Sequence, residues 1–348
     1  MATDDKHPQR LVTQEDVARR AGVSRSIVSY VINNGPRSVS EETQARVLEA
    51  IRELGYRPNK HAQLLSATDN SIAHKYIGIV IAGDYMFKRP YYGSILASIH
   101  EHAHVKDYHI RFIRVFDDFS NPALFNELIH PDEINGAILL GLDQVIRTAE
   151  DRTLVEQIVQ RVENVVTVEW EWDGVPSVQF DRQDAGYQIT KHLADVGKRR
   201  IAYIGPEDDR LLGYRQALWE RKITPDDRLA MFAVDTPSGY DICEKLLTGN
   251  AGIDGICIGT DEVAIGVLKS LYQRGLHVPR DVAVASIDNL NFAEFLIPSL
   301  TSIDVPRYEL GNHVIDALIG DRTEKNLSAF SIMIRTQLIV RESSMIQD

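Results

Sequence analysis

The sequence predicts a two-part protein, an all-α helix-turn-helix headpiece followed by a two-lobed α/β body. Three observations predict it. Three short amphipathic helix patterns lie within the first 55 residues. From Tyr76 onward, short β-branched runs alternate with helical patterns, which argues a parallel sheet covered by helices. There are nine such runs, more than sits comfortably in one layer, so the body divides into two lobes.

In the headpiece, Thr13 is placed to cap a helix, with Asp16 three residues on and Val17, Ala18 and Ala21 forming an apolar stripe that Gly22 ends. After the Gly22-Val23 turn, Ser24 caps a second helix. Its apolar residues Ile27, Val28, Val31 and Ile32 share one face, and Arg25, Ser26, Ser29 and Tyr30 lie on the other. Asn33-Asn34-Gly35-Pro36 ends it. Ser40 caps a third helix, Glu41 to Leu54, with Val47, Leu48, Ile51 and Leu54 inward and Gly55 at its end. A helix laid in the major groove presents donors from its first turns to base edges, and Arg25, Ser26 and Tyr30 occupy those places. The plainer alternative makes them solvated residues of a small bundle.

Composition narrows the class. With 44% hydrophobic and 25% charged residues, the chain is neither disordered, collagenous nor a disulfide scaffold, and its 348 residues hold two or three domains. Cys243 and Cys257 fall in no metal-ligand spacing and read as reduced thiols, so no metal and no cofactor is expected. The start, MATDDKHPQRLV, lacks an apolar core, and no run approaches the roughly 18 apolar residues of a membrane span, so a cytoplasmic protein is expected, without membrane contact. The net charge of −12 divides unevenly: residues 1–65 carry ten Lys and Arg against eight Asp and Glu. A weakly basic head on an acidic body suits a protein whose head alone touches phosphate.

The segments VTQEDVARRAGVSRSIVSYVINN and VSEETQARVLEAIRELGYRPNKHAQLLS resemble the headpiece of the lactose-repressor (LacI/GalR) family, with DVARRAGVS, VS.VIN and ELGYRPN in order. The resemblance implies double-stranded, pseudo-palindromic operator DNA as partner, contacted from Thr13, Ser24, Arg25, Ser26, Ser29, Tyr30 and Asn33. It also implies a hinge helix after Tyr56-Arg57-Pro58-Asn59, with Asn59, Ala62 and Leu65 at the DNA and Leu65 as an apolar wedge in the minor groove. An isolated helix from Lys60 to Ser66 is too short to be stable in water, so it is expected to fold on DNA beside a dimer partner. Two departures from the family pattern are Gln63, where Arg is common, and a longer Ser66 to Tyr76 linker.

The resemblance extends through the body. RIAYIGP, GYRQAL, GICIGTDEVAIGVL, GLHVPRDVAVASIDN, PSLTSIDVP and LIVRESS resemble landmarks of the family's periplasmic-binding-protein-like effector domain. The implied layout is a headpiece at 1–58, a hinge at 59–75 and an effector and dimerisation domain at 76–348. Its N-terminal lobe would comprise about 76–180 and 304–326, and its C-terminal lobe 181–303 and 327–348. Ligands of open α/β sheets sit outside the carboxyl ends of strands. That rule selects Asp84, Tyr91, Tyr92, Asp143, Asp181, Arg210, Arg215, Asp261 and Asp288.

Carboxylates, a guanidinium and aromatic faces suit the hydroxyls and apolar side of a sugar. Family position singles out Arg215, Asp288 and Asp181. The competing assignments are helix caps or hinge supports for Asp181 and Asp288, and a surface ion pair for Arg215. Trp170, Trp172 and Trp219 are expected to pack in the core or at a lobe edge. The function that follows is a DNA-binding transcriptional regulator, a homodimer and a repressor, controlled by a small polar effector, a sugar. Alternatives are an exported or cytoplasmic sugar-binding protein, and a regulator answering to a nucleobase or a protein co-regulator. An enzyme is disfavoured, since no GxSxG, HExxH or GxxxxGK[ST] motif and no GxGxxG after a strand occurs.

Overall fold

The structure, a computed structural model, describes residues 12–33, 39–57, 75–249, 252–320 and 330–345. The head is three helices, α1 (Gln14–Ala21), α2 (Arg25–Asn33) and α3 (Glu41–Leu54). Thr13 and Asp16 close a reciprocal capping box on α1, each side chain accepting the other's backbone N–H at 3.3 and 3.0 Å. Gly22 ends α1 at φ 67°, where an added Cβ would meet nothing. Glycine is therefore required there by the left-handed backbone rather than by space. Val17, Val28, Val47 and Ile51 are fully buried between the helices with Tyr56, and Arg20 pairs with Glu53 at 2.6 Å across the bundle. The expected hinge helix Lys60 to Ser66 lies outside the described residues.

The body holds two six-stranded sheets. In the first, β1 (Tyr76–Ile81), β2 (His109–Val115), β3 (Gly136–Leu140), β4 (Asn164–Val168), β5 (Ser177–Phe180) and β11 (Ser331–Ile334) run in the order β11-β5-β4-β3-β1-β2. The second contains β6 (Ile201–Gly205), β7 (Ala230–Phe232), β8 (Gly255–Ile258), β9 (Ala283–Asp288), β10 (Thr301–Asp304) and β12 (Gln337–Ile339), ordered β12-β10-β9-β8-β6-β7. Within each, the first strand in sequence lies between the second and third, the reversal of strand order that opens a crevice in doubly wound sheets. The central strands β3, β8 and β9 are buried at every residue, as parallel strands covered on both faces must be, while edge strands β2 and β7 are half-exposed. The nine expected strands all form. β10, β11 and β12 are additional, each only three or four residues long and without a distinctive apolar run.

The helices of the body are α4 (Tyr85–Lys88), α5 (Pro90–Val105), α6 (Pro122–Leu128), α7 (Ala149–Arg161), α8 (Arg182–Asp195), α9 (Asp209–Glu220), α10 (Thr236–Gly249), α11 (Asp261–Gln273) and α12 (Arg307–Ile319). Packing divides the chain into one compact unit of Met1–Lys88, Ile99–Ser177 and Val314–Phe330, and another of Arg89–Ser98, Val178–His313 and Ser331–Asp348. These bounds differ from the expected lobes chiefly at Arg89–Ser98 and at 304–313, both of which group with the second unit. The reason is local: Arg89 Nε bonds Glu262 at 2.7 Å, and the Ser98 hydroxyl donates to the Tyr308 carbonyl at 2.8 Å.

One packing device appears twice in the second unit. A Cβ on Gly213 of α9 would strike the Gln183 carbonyl and lie 2.6 Å from Tyr187 N on α8. A Cβ on Gly266 of α11 would likewise strike the Thr236 carbonyl and lie 2.6 Å from Tyr240 N on α10. In each pair the tyrosine after the partner glycine, Gly186 or Gly239, donates its hydroxyl across to the second helix, Tyr187 to Glu220 and Tyr240 to Gln273, both at 2.7 Å. The backbones touch, so only glycine fits.

Candidate DNA-reading head and effector site

On the head, Arg25 and Ser26 are exposed in the first turn of α2, Ser29 and Tyr30 are half-buried, and the exposed Ser24 offers its carbonyl to Ile27 and Val28 N–H at 3.0 and 3.3 Å. Arg25 Nε leans on Gln14 Oε1 at 3.4 Å, which holds the guanidinium beside the α1–α2 turn. Thr13 uses its hydroxyl within the cap, donating to Asp16 at 2.7 Å. Asn33 is the last residue of α2, its side chain outside the described set, and Asn59, Ala62 and Leu65 fall outside the described residues altogether. Sequence reading overlooked Tyr56. Its ring lies in the head core, and burial raises its hydroxyl's pKa although a hydrogen bond with Gln14 and the nearby Arg25 charge act against the rise.

The second unit gathers charge where β9 and β10 end. Register sets Asp304 beside Asp288, and α11 begins at Asp261. At the ends of β6 and β8, Gly205 and Gly259 approach so closely that a Cβ on Gly205 would lie 2.7 Å from Gly259 Cα. Asp261, fully buried, accepts from Leu290 N–H and the Ser302 hydroxyl, both at 2.7 Å, so its oxygens are committed to holding the loop after β9. Asp288 is 2% exposed with φ 117°, and no described residue donates a hydrogen bond to its carboxylate. Burial first and Asp261 second push its proton affinity up, while Arg210, Arg307 and Arg89 oppose them.

Three arginines surround that carboxylate, each held differently. Arg307 donates to the backbone carbonyls of Asp288, of Val305 at 3.1 Å and of Asn289 at 3.1 Å, and its guanidinium stands 6.0 Å from the Tyr91 ring centre. It thereby holds the strained Asp288-Asn289 turn, both residues having positive φ. Arg210, 7% exposed, pairs with Asp208 at 2.7 Å and lies over the Phe180 ring, and its buried Nε has no hydrogen-bond partner among the described residues. Burial disfavours its charge, yet Asp208, Tyr203, Asp288 and Tyr91 together hold it protonated. Arg89 joins Glu262 and the Val234 carbonyl and lies 5.7 Å from the Tyr92 ring, which meets Tyr91 edge to face at 5.3 Å.

Of the expected effector residues, the fold brings together Tyr91, Tyr92, Arg210, Asp261 and Asp288. Within the same unit it places Asp181 and Arg215 elsewhere. Asp84 and Asp143 belong to the first unit and are exposed, Asp84 paired with Lys88 at 3.1 Å. Asp181 caps α8, accepting Asp184 N–H at 2.8 Å, and Arg215 forms a surface pair with Asp227 at 2.9 Å. The cap and the surface pair are the structural roles these two residues could have taken instead. Trp170 packs as expected, donating Nε1–H to the Leu139 carbonyl, but Trp219 is 78% exposed on α9 and not a packing residue of this chain's core. Arg307 and Arg89 were missed. Arg307 follows β10, a strand the sequence does not advertise, and Arg89 precedes a helix rather than following a strand. Among the described residues no His, Cys, Asp or Glu cluster could hold a metal, and no helix is long and apolar enough to cross a membrane.

A helix-turn-helix head joined to a doubly wound α/β body, with a buried polar cluster at its strand ends, defines a DNA-binding regulator with an effector domain. Residues 13–59 match the model for bacterial regulatory proteins of the lacI family, and residues 190–344 match a periplasmic binding protein-like domain. The ribose operon repressor of Escherichia coli (strain K12) is 32% identical over 345 residues, spanning 96% of this chain and 100% of that protein. The chain belongs to the lacI family of bacterial regulatory proteins, and it is a DNA-binding transcriptional regulator. It is also similar to the repressor PurR of Edwardsiella ictaluri (strain 93-146), 28% identical over 96% of this chain and 97% of the relative. Among solved structures, a complex of the transcriptional regulator CelR with cellobiose superposes with a TM-score of 0.68 at 27% identity, over 95% of this chain and 99% of that one.

Proposed function

We propose that this regulator is a repressor whose hold on operator DNA is set by a neutral sugar bound at Asp288, Arg210, Arg307, Arg89 and the Tyr91-Tyr92 pair. The observation that carries the reading is a mismatch among the described residues: a buried Asp288 carboxyl to which none of them donates, and a buried Arg210 Nε for which none of them supplies an acceptor. A sugar hydroxyl both donates and accepts, so vicinal hydroxyls satisfy both groups, and the tyrosines offer faces to the ring's C–H surface. Arg89, Arg210 and Arg307 face Asp208, Asp261, Glu262 and an Asp288 carboxyl whose proton affinity is raised by burial, so three cations meet three carboxylates when Asp288 holds its proton, which favours a ligand without net charge. The sugar-linked names of the ribose repressor and the CelR–cellobiose complex agree with it.

On the DNA side, α2 enters the major groove with Arg25 and Ser26 foremost, and the 59–75 segment supplies Asn59, Ala62 and the Leu65 wedge. The protein acts in the cytoplasm as a homodimer on a pseudo-palindromic site. Phe295 and Ile297 stand 77% and 95% exposed on either side of Leu296, which packs into the core, and a partner copy would cover them.

A thermal-shift screen of pentoses, hexoses, disaccharides and purine bases identifies the effector, because a ligand bound only by the native state raises the melting temperature. The same compounds are then added to operator binding. A melting shift only with purines would overturn the sugar reading, and no operator selectivity would overturn the DNA reading. Arg25→Ala should lose about 1–3 kcal/mol of discrimination at one base pair per half-site, whereas uniform weakening on all sequences would make Arg25 a phosphate contact.

A further inference from the structure

The head is not only tethered to the body; it is docked on it, within the first unit. Helix α6 inserts Ala123, 4% exposed, into the apolar cluster of the head. Asn126 on the same helix donates to the Tyr56 carbonyl at 3.4 Å and accepts from Arg161 at 2.6 Å, and Arg161 lies 4.6 Å from the Phe125 ring centre. The next residue, Arg57, is the last described residue before the linker. Its Nη1 reaches His130 Nδ1 at 2.8 Å and Asp132 at 3.0 Å, and its Nη2 reaches Glu133 at 3.4 Å. Glu133 is nearly buried and also receives Arg111 at 3.1 Å.

The imidazole is the sensitive part. Two groups address His130 Nδ1, Arg57 Nη1 and, at 3.1 Å, the backbone N–H of Asp132. Both can only donate, so Nδ1 must carry its lone pair and the ring must be neutral with its proton on Nε2. A proton on Nδ1 would turn both hydrogen bonds into N–H against N–H contacts and set a second cation beside the guanidinium. The charged groups facing the ring are Arg57 and Arg161, which resist protonation, and Asp132 and Glu133, which favour it. The Asp132 carboxylate, 3.4 Å from Nδ1 and largely exposed, is free to follow the new charge and leave Arg57. Burial and Arg57 dominate, holding the imidazole below its ordinary range.

We propose that α6 and the 130–133 turn form a docking surface for this chain's own head, held by neutral His130 through Arg57 and released when His130 takes up a proton. The docked state binds one proton fewer, so docking persists above the ordinary imidazole range and is lost as pH falls below it. Because Arg57 adjoins the linker to the body, the proton state of His130 governs how firmly the DNA-reading head is oriented.

The test is hydrogen exchange of the full chain at pH about 7.5 and about 5, reading the peptides of α3 and α6 relative to those of β8 and β9 in the same sample. Relative protection of α3 and α6 should fall on acidification in the natural protein. It should be low at both pH values in Arg57→Met, and His130→Gln should show the same relative protection at both, whatever its level. Unchanged protection in the acidified natural protein, a fall in His130→Gln equal to that of the natural protein, or full protection in Arg57→Met would each overturn the proposal.

Discussion

At Asp288 the demands of the fold and of the proposed effector site pull in opposite directions. Its carboxyl proton affinity is raised by burial and by Asp261, so the native state retains a proton that the unfolded chain has already lost. By linkage, this site opposes folding increasingly as pH rises from the unfolded value near 3.9 through the raised native value. Asp288→Asn should therefore raise the melting temperature of ligand-free protein at pH about 8 by the equivalent of roughly 1–3 kcal/mol, with the gain vanishing near pH 4, while effector binding is lost. A variant no more stable than the natural protein at pH 8 would contradict this account.

The neighbouring assignment on α9 was harder to read from sequence. Arg210 and Arg215 both follow β6, but they lie on different sides of the helix, and Gly213 and Tyr214 are buried between them. Which side meets the cluster depends on how α9 crosses α8, and helical spacing alone does not say.

At the scale of elements, the helix pairs α8–α9 and α10–α11 are set by contacts between backbones. Gly213→Ala and Gly266→Ala push a methyl onto a main-chain carbonyl of the facing helix, and neither neighbour can turn aside as a side chain could. Each should cost about 1–3 kcal/mol or more in thermal melts. Gly249, on α10 with open space around its Cβ position, supplies the contrast: alanine there should be neutral or stabilising by about 0.5–1 kcal/mol. Equal effects at all three positions would show that helix propensity, not backbone approach, governs them. The long strands announced themselves because parallel strands buried on both faces are apolar throughout. β10 did not, since TSID has two hydroxyl residues and an acid, and its burial depends on bonds from Ser302 to Asp261 and from Thr301 to Ser344. Losing β10 from view also hid Arg307.

For the whole molecule, effector and operator are coupled only by differential affinity, so the factor by which sugar changes the operator Kd must equal the factor by which operator changes the sugar Kd. Arg210→Met should abolish that factor, leaving operator binding near the sugar-free level, whereas Arg215→Ala should leave both affinities within error because an exposed pair contributes about 0–1 kcal/mol. A normal sugar response in Arg210→Met would displace the effector site from this cluster.

The three-helix head with its caps and glycine stop, the nine principal strands, and the pairing of a DNA-reading head with an effector body were all legible in the residue order. The helices and strands follow from periodicity and local backbone chemistry, which act over a few residues, and the effector role of the body from its resemblance to the lactose-repressor family. It took helix crossings and strand register to bring Arg210, Arg307 and Arg89 around Asp288 while Arg215 and Asp181 of the same unit turn elsewhere, and to bring Arg57 to His130. Those choices join residues up to 218 positions apart, Arg89 and Arg307 at the widest, and depend on helix crossings and strand register that no local pattern encodes.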